Sequence, residues 1–167
     1  MKRRKLLFVS CLAICAFVLF SGLYYQNKNY AKAPVTLNKT ELLRLVNQAR
    51  KSGCHCDGVY YPPVKEVVWN NKLETAAKNH CVDMQKHNFF SHKSSNGGTI
   101  VGRLNKVDYN WLAFGENIAL GFKTEKEVVN SWLKSPTHCK TIMCGDFTEM
   151  GIAASDIYWV QVFGKPK

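Results

Sequence analysis

The chain has 167 residues, 46% of them hydrophobic, with 23 basic side chains against 12 acidic ones. That length carries one domain with its own core, the apolar fraction excludes an intrinsically disordered chain, and a single long apolar run excludes a polytopic membrane protein. The net charge of +11 is unevenly spread, since residues 1–33 hold six of the 23 basic residues and none of the acids. What remains is a modestly basic surface. No nucleic-acid partner is expected, because Tyr60-Tyr61 and Tyr109-Asn110-Trp111 lack the interleaved Lys and Arg that single-strand binding requires. Those aromatics read as core.

Residues 1–33 read as an address. Lys2-Arg3-Arg4-Lys5 precedes an apolar stretch from Leu6 to Tyr25, the pattern of an export signal whose charge stays cytoplasmic. The segment is either a signal peptide cleaved near Ala31-Lys32-Ala33 or an uncleaved membrane anchor of about 20 apolar residues with a short linker. Lipid attachment at Cys11 or Cys15 is disfavoured: Ile14 is bulky, and Cys11 lies early in the run. The folded domain is then 34–167, exported, either extracellular or periplasmic, and membrane-attached if the segment is retained.

Export changes the meaning of the cysteines. Cys54, Cys56, Cys81, Cys139 and Cys144 are disulfide candidates in an oxidising compartment. Their odd number leaves at least one unpaired or bonded to another molecule. Zinc held by Cys54-His55-Cys56, or by His80-Cys81 with His87, is the lesser reading. One intervening residue is tighter than the two to four of structural zinc sites.

In chain order, Asn38-Lys39-Thr40-Glu41 reads as a capping box opening a helix, with Leu42, Leu45, Val46 and Ala49 on one stripe and Gly53 ending it. Tyr61-Pro62-Pro63 marks a loop, and Val67-Val68-Trp69 a short extended piece. Asn71-Lys72-Leu73-Glu74 reads as a second box, starting a helix to about Lys86 whose stripe includes Leu73, Ala76, Ala77, His80 and Met84. Residues 88–121 read as loops between aromatic anchors, with no clear period. Thr124-Glu125-Lys126-Glu127 is a third box for a helix ending near Ser135, and Ser135-Pro136 starts another. Met150 to Ala154 and Ile157 to Phe163 read as two strands around a tight turn. Leading helices and trailing strands argue for an α+β fold or a three-layer sandwich.

His92 and Glu116 lead the functional candidates, because an imidazole beside a carboxylate can exchange protons, bind a metal or grip a polar ligand. The bland reading makes His92 a turn cap and Glu116 a solvated loop acid. His138 lies in the first turn after Pro136. His80 reads as a core histidine, and His87 as a helix-end cation. Serine-hydrolase and phosphate-loop motifs are absent from the sequence. Cys139 beside His138 is no nucleophile pair, since adjacent helical residues do not face each other.

Five motifs occur in order: His87-Asn88-Phe89-Phe90-Ser91-His92, Gly115-Glu116-Asn117-Ile118-Ala119, Trp132-Leu133-Lys134-Ser135-Pro136-Thr137-His138, Phe147-Thr148-Glu149-Met150-Gly151, and Tyr158-Trp159-Val160-Gln161-Val162-Phe163-Gly164. Across about residues 38–164 the series resembles the bacterial branch of the CAP superfamily (cysteine-rich secretory proteins, antigen 5 and pathogenesis-related proteins). The resemblance implies a three-layer α-β-α sandwich with a mainly antiparallel central sheet and a surface cleft. In eukaryotic relatives that cleft holds two histidines and two glutamates and takes zinc or another divalent cation. His92 and Glu116 match the first of each. The second glutamate position holds Ser135 and the second histidine position Asp146, so the four-residue set is incomplete, although Asp146 is itself able to ligate a metal. The implied cleft therefore contains His92, Glu116, His138 and Asp146, with His92 and His138 as the metal-ligating pair and no cofactor required. The resemblance also implies a Cys56–Cys139 disulfide, with Cys54–Cys144 as a further candidate.

The leading expectation is an exported, non-enzymatic binding module whose His/Glu cleft takes a small polar ligand, a lipid, a glycan or a divalent cation such as zinc. The alternatives are a hydrolase of peptides or cell-wall material, with Glu116 as general base and His92 as its partner, and a cationic envelope adhesion module.

Overall fold

The computed structural model describes residues 37–167, so the apolar stretch Leu6–Tyr25 and the expected cleavage region lie outside the described residues. Among the described residues, no helix is long and apolar enough to cross a membrane. The elements in order are α1 (Lys39–Ser52), β1 (Cys54–Cys56), β2 (Val59–Tyr61), β3 (Val68–Trp69), α2 (Asn71–His87), α3 (Ile100–Lys106), β4 (Trp111–Leu120), α4 (Glu125–Lys134), α5 (Pro136–Ile142), β5 (Glu149–Ser155) and β6 (Tyr158–Pro166). β1 and β2 form a separate antiparallel hairpin, and the main sheet runs β3-β5-β6-β4. Only the β3–β5 pair is parallel; β5–β6 and β4–β6 are antiparallel.

The alternation of β6 builds the layers, since successive strand side chains point to opposite faces. Trp159 and Phe163 join Leu42, Val46, Trp132 and Ile142 in a core beneath α1, α4 and α5. Tyr158, Val160 and Val162 join Leu73, Ala77, Met84 and Leu104 beneath α2 and α3. The expected α-β-α sandwich with a mainly antiparallel sheet is what forms. Gly151 lets α2 lie on the sheet, because a Cβ there would meet backbone atoms of Leu73 and Glu74 at 2.1–2.7 Å.

The expected caps hold in different degrees. Thr124 and Glu127 make both halves of a capping box. Asn38 accepts from the Glu41 amide, but the Glu41 carboxylate turns to Arg44, and the Asn38 amide is taken by Glu125. The second helix is capped one residue earlier than expected, by Asn70, which accepts from the amides of Lys72 and Leu73. Glu74 instead takes the indole N–H of Trp69 and the ammonium of Lys39. Ser135 precedes the expected Pro136 start without a side-chain cap.

Residues 88–121 depart most from expectation, since they contain α3 and the ten-residue strand β4. Tyr60, expected in the core, is exposed on β2, whereas Tyr109 is buried.

Two ties hold the α1 layer. The Cys56–Cys139 disulfide joins β1 to α5 across a sequence separation of 83, a crosslink worth about 4–5 kcal/mol in the chain-entropy picture. Cys54 and Cys144 remain free thiols, so the expected second bridge is not formed; the Cys54 sulfur lies against the existing disulfide instead. Cys81 is also a free thiol, and burial pushes its pKa up to about 12.

The second tie is Arg50, fully buried at the end of α1. Its guanidinium donates to the carbonyls of Lys65, Ile142, Cys144 and Phe147 at 2.6–3.0 Å. Burial lowers its pKa, with Cys144 acting in the opposite sense. One turn earlier, Asn47 exchanges two hydrogen bonds with the Val67 backbone. Arg50→Lys has too few donors in the wrong geometry to satisfy four carbonyls. We expect a loss of about 3–5 kcal/mol, measured as a lower urea midpoint at unchanged slope.

Candidate functional site

The loop after α2 is tied down before it reaches His92. Asn88 takes the left-handed conformation that ends the helix, at φ 51°, and the Phe89 amide returns to the Met84 carbonyl. Beneath the loop, buried His80 bonds the Ser91 carbonyl through Nε2 at 2.8 Å. Since a carbonyl only accepts, Nε2 carries the proton and Nδ1 is the bare nitrogen; that Nδ1 is buried without a hydrogen-bond partner. Further along, Asp83 accepts from both the amide and hydroxyl of Ser95. Burial works to raise the Asp83 pKa, but the bonds from Ser95 and His87 outweigh it and hold it low.

Glu116 reaches the same place from the middle of β4, opposite Val162. Its carboxylate is only 5% exposed and closes two contacts, Oε1 to His92 Nδ1 at 2.8 Å and Oε2 to Arg103 Nη2 at 2.6 Å. Arg103 comes from α3, is itself buried, and also donates to the His92 carbonyl and the Ser94 hydroxyl. The His92 side chain remains 57% exposed. A carboxylate accepts, so Nδ1 of His92 donates and Nε2 is left as the outward acceptor of the neutral ring.

The neighbouring residues of β4 build the rest. Gly115 has no room for a side chain, since a Cβ would meet the Phe147 ring at 2.8 Å. Asn117 is fully buried and donates to Gln161 Oε1 and to the His138 carbonyl, fixing α5 against the strand. β4 is the edge of the sheet, so the layer carrying His92 and the layer carrying His138 approach each other past it. Burial lowers the His138 pKa, and the nearby His92 lowers it further.

His92 and Glu116 therefore meet, with His138 in electrostatic reach. Asp146 is exposed after α5, and no hydrogen bond or ion pair joins it to those three among the described residues. Sequence reasoning missed Arg103, which lies in a helix of seven residues; Ile100 and Leu104, one turn apart, were the faint signal. It also placed Glu116 in a loop, where strand pairing in fact fixes its direction.

The residues do not fit a complete metal centre. Both Glu116 oxygens are engaged, one by a guanidinium whose charge opposes a dication, and the second glutamate position is Ser135. The sulfurs of Cys54, Cys56 and Cys139 lie within 4.8 Å of one another, a grouping close enough to hold a metal. Two of them are bonded together as a disulfide, whereas metals take thiolates. Separately, Arg103 helps line a polar hollow of about 230 Å³ with Asn79, Asp83, Ser94, Ser95 and Lys106.

The cysteine-rich secretory protein family (CAP) profile matches residues 43–163. The uncharacterized membrane protein YlbC of Bacillus subtilis is 32% identical over 97 residues, covering 58% of this chain and 28% of YlbC. The uncharacterized protein YkwD of the same organism is 32% identical over 102 residues, covering 60% and 40%. The chain thus spans less than half the length of either relative. Among solved structures, an extracellular protein containing an SCP domain from Bacillus anthracis superposes with a TM-score of 0.66 at 26% identity, covering 75% of this chain and 39% of that one. An outer surface protein of Borrelia burgdorferi shares the fold, with a TM-score of 0.67 at 23% identity over 80% and 98% of the two chains.

Breaking a buried ion pair from one side leaves an uncompensated charge. Arg103→Leu and Glu116→Leu should each cost about 3–5 kcal/mol, and the double variant less than their sum, as read from a double-mutant cycle in urea. Buried His80 and half-buried His138 set a pH dependence. With folded pKa values below the ordinary 6.5 or so, His80 and His138 bind fewer protons folded than unfolded. Stability is therefore full above about pH 6.5 and falls as pH drops from there toward their folded values. His80→Gln, which keeps a donor but cannot titrate, should flatten the decline in melting temperature between about pH 7 and 5.

Proposed function

This chain belongs to the cysteine-rich secretory protein (CAP) family, and from that premise we propose that it is an exported binding module that holds a hydroxyl-bearing polar ligand at His92. The observation that carries the reading is the double engagement of Glu116, by His92 on one oxygen and Arg103 on the other. A carboxylate so occupied orients an imidazole, and at 5% exposure it leaves little room for a water that it could activate. The same commitment argues against hydrolysis with Glu116 as the base. In its neutral form His92 presents Nε2 to a ligand O–H, and Phe90, 47% exposed two residues away, supplies an apolar face for a sugar ring or lipid chain. Glycans and lipid head groups share that hydroxyl chemistry.

Export is supported by the charged and apolar segment from Lys2 to Tyr25, by a disulfide of the kind that persists in oxidising compartments, and by the extracellular Bacillus anthracis relative. A membrane attachment through residues 6–25 is part of the proposal.

The test is titration of the full-length protein and its His92→Ala variant with N-acetylglucosamine oligomers, phosphatidylglycerol vesicles and Zn²⁺. Loss of at least about tenfold in affinity for the oligomers or vesicles, roughly 1.4 kcal/mol, is expected in the variant. Equal binding of all three probes by both proteins removes His92 from the function. Vesicle binding that ignores the substitution but fades with salt assigns the protein to the charge-driven adhesion reading.

A further inference from the structure

The hairpin at the start of the domain holds an arrangement that the cleft does not use. Cys54 and Cys56 are two residues apart on β1, so their side chains share one face of the strand. Cys139 meets that face from α5. The free Cys54 sulfur lies 3.6 Å from Cys139 Sγ and 3.9 Å from Cys56 Sγ, in contact with both atoms of the bond. Access is unequal: Cys56 and Cys139 are fully buried, whereas Cys54 is half-buried. A thiol in solution therefore meets Cys54 more readily than it meets the bond.

We propose that Cys54 is the nucleophile of a thiol–disulfide exchange site, with the Cys56–Cys139 bond as its substrate and Cys139 as the shared sulfur. The Cys54 thiolate attacks Cys139 Sγ; the Cys54–Cys139 bond forms as the Cys56–Cys139 bond breaks. Cys56 leaves as a thiolate and takes up the proton that Cys54 released, so nothing is oxidised or reduced overall. Both isomers tie β1 to α5, two positions apart along the strand. In the second isomer one partner of the bond is the accessible Cys54. A small dithiol can attack there, and as it closes to its own disulfide, two protein thiols are released.

The local backbone accommodates the shift. Attack requires the incoming sulfur to move behind the bond from its present place beside it. β1 is a three-residue strand of a hairpin outside the main sheet. Left-handed residues bracket it, at Gly53 before the strand and at Asp57 and Gly58 in the turn. Burial raises the Cys54 pKa, which keeps the thiol protonated near neutrality and lets exchange accelerate as pH rises. Cys144 is outside the three-sulfur group and serves as the control.

The test uses the full-length protein in three arms. Within the three-sulfur group, protein held at about pH 9, quenched in acid, blocked with maleimide and digested with pepsin should carry label on Cys56 in part of the population, with Cys54 bridged to Cys139; protein kept acidic throughout should carry label on Cys54 and on neither of the other two. In Cys56→Ser, air oxidation should form Cys54–Cys139. In Cys54→Ser, reduction of the buried bond by dithiothreitol should slow by at least about tenfold, while Cys144→Ser reduces at the parental rate. The first arm needs no variant and is insensitive to misfolding. Label that within this group stays on Cys54 at every pH, with free Cys54 and Cys139 thiols persisting in oxidised Cys56→Ser, overturns the proposal.

Discussion

The contact on which the site depends is the ion pair between Glu116 and Arg103. Both side chains are buried, at 5% and 7% exposure, and neither charge is tolerable there alone, because desolvation costs several kcal/mol per ion. Satisfying them brings three segments to one point: β4 for the carboxylate, α3 for the guanidinium, and the 88–98 loop for the groups around them. The second Glu116 oxygen then has one partner, His92, whose ring it aims outward. The exposed imidazole owes its direction to an interior charge it only touches.

A frame of a different kind holds the opposite layer. Arg50 meets carbonyls where Arg103 meets a carboxylate, gathering the loop before β3, the end of α5 and the turn after it around the last turn of α1. The disulfide ties the same α5 to the hairpin. Since α5 also carries His138, the covalent tie and the cleft share an element. The proposed thiol–disulfide exchange at the hairpin and the proposed ligand site at the sheet edge therefore share one helix, although they use different residues.

The helices were legible wherever a cap and an apolar stripe coincided. Thr124-Glu125-Lys126-Glu127 could be read directly because both halves of its box are local in sequence. Around Asn38 and Asn70 the cap was legible but its partner was not, since Glu41 and Glu74 found cations and an indole brought near by folding. Residues 88–121 defeated periodicity for two reasons. α3 is too short to repeat a pattern. β4 sits between two helical layers, so its side chains do not alternate simply between polar and apolar. The Cys56–Cys139 pairing and the meeting of His92 with Glu116 were legible through family resemblance; composition and spacing had left both open.

By itself the sequence determined the α+β class, the order of helices and terminal strands, and the residue types available for chemistry. Those follow from local propensity and from periods of two and about 3.6, which need no distant partner. Tertiary structure alone decided that Arg103 neutralises Glu116 and that Cys54 rests on a disulfide it does not share. Each is set by a contact between segments far apart in the chain, and no local rule contains the position of a partner that only packing brings within a few ångströms.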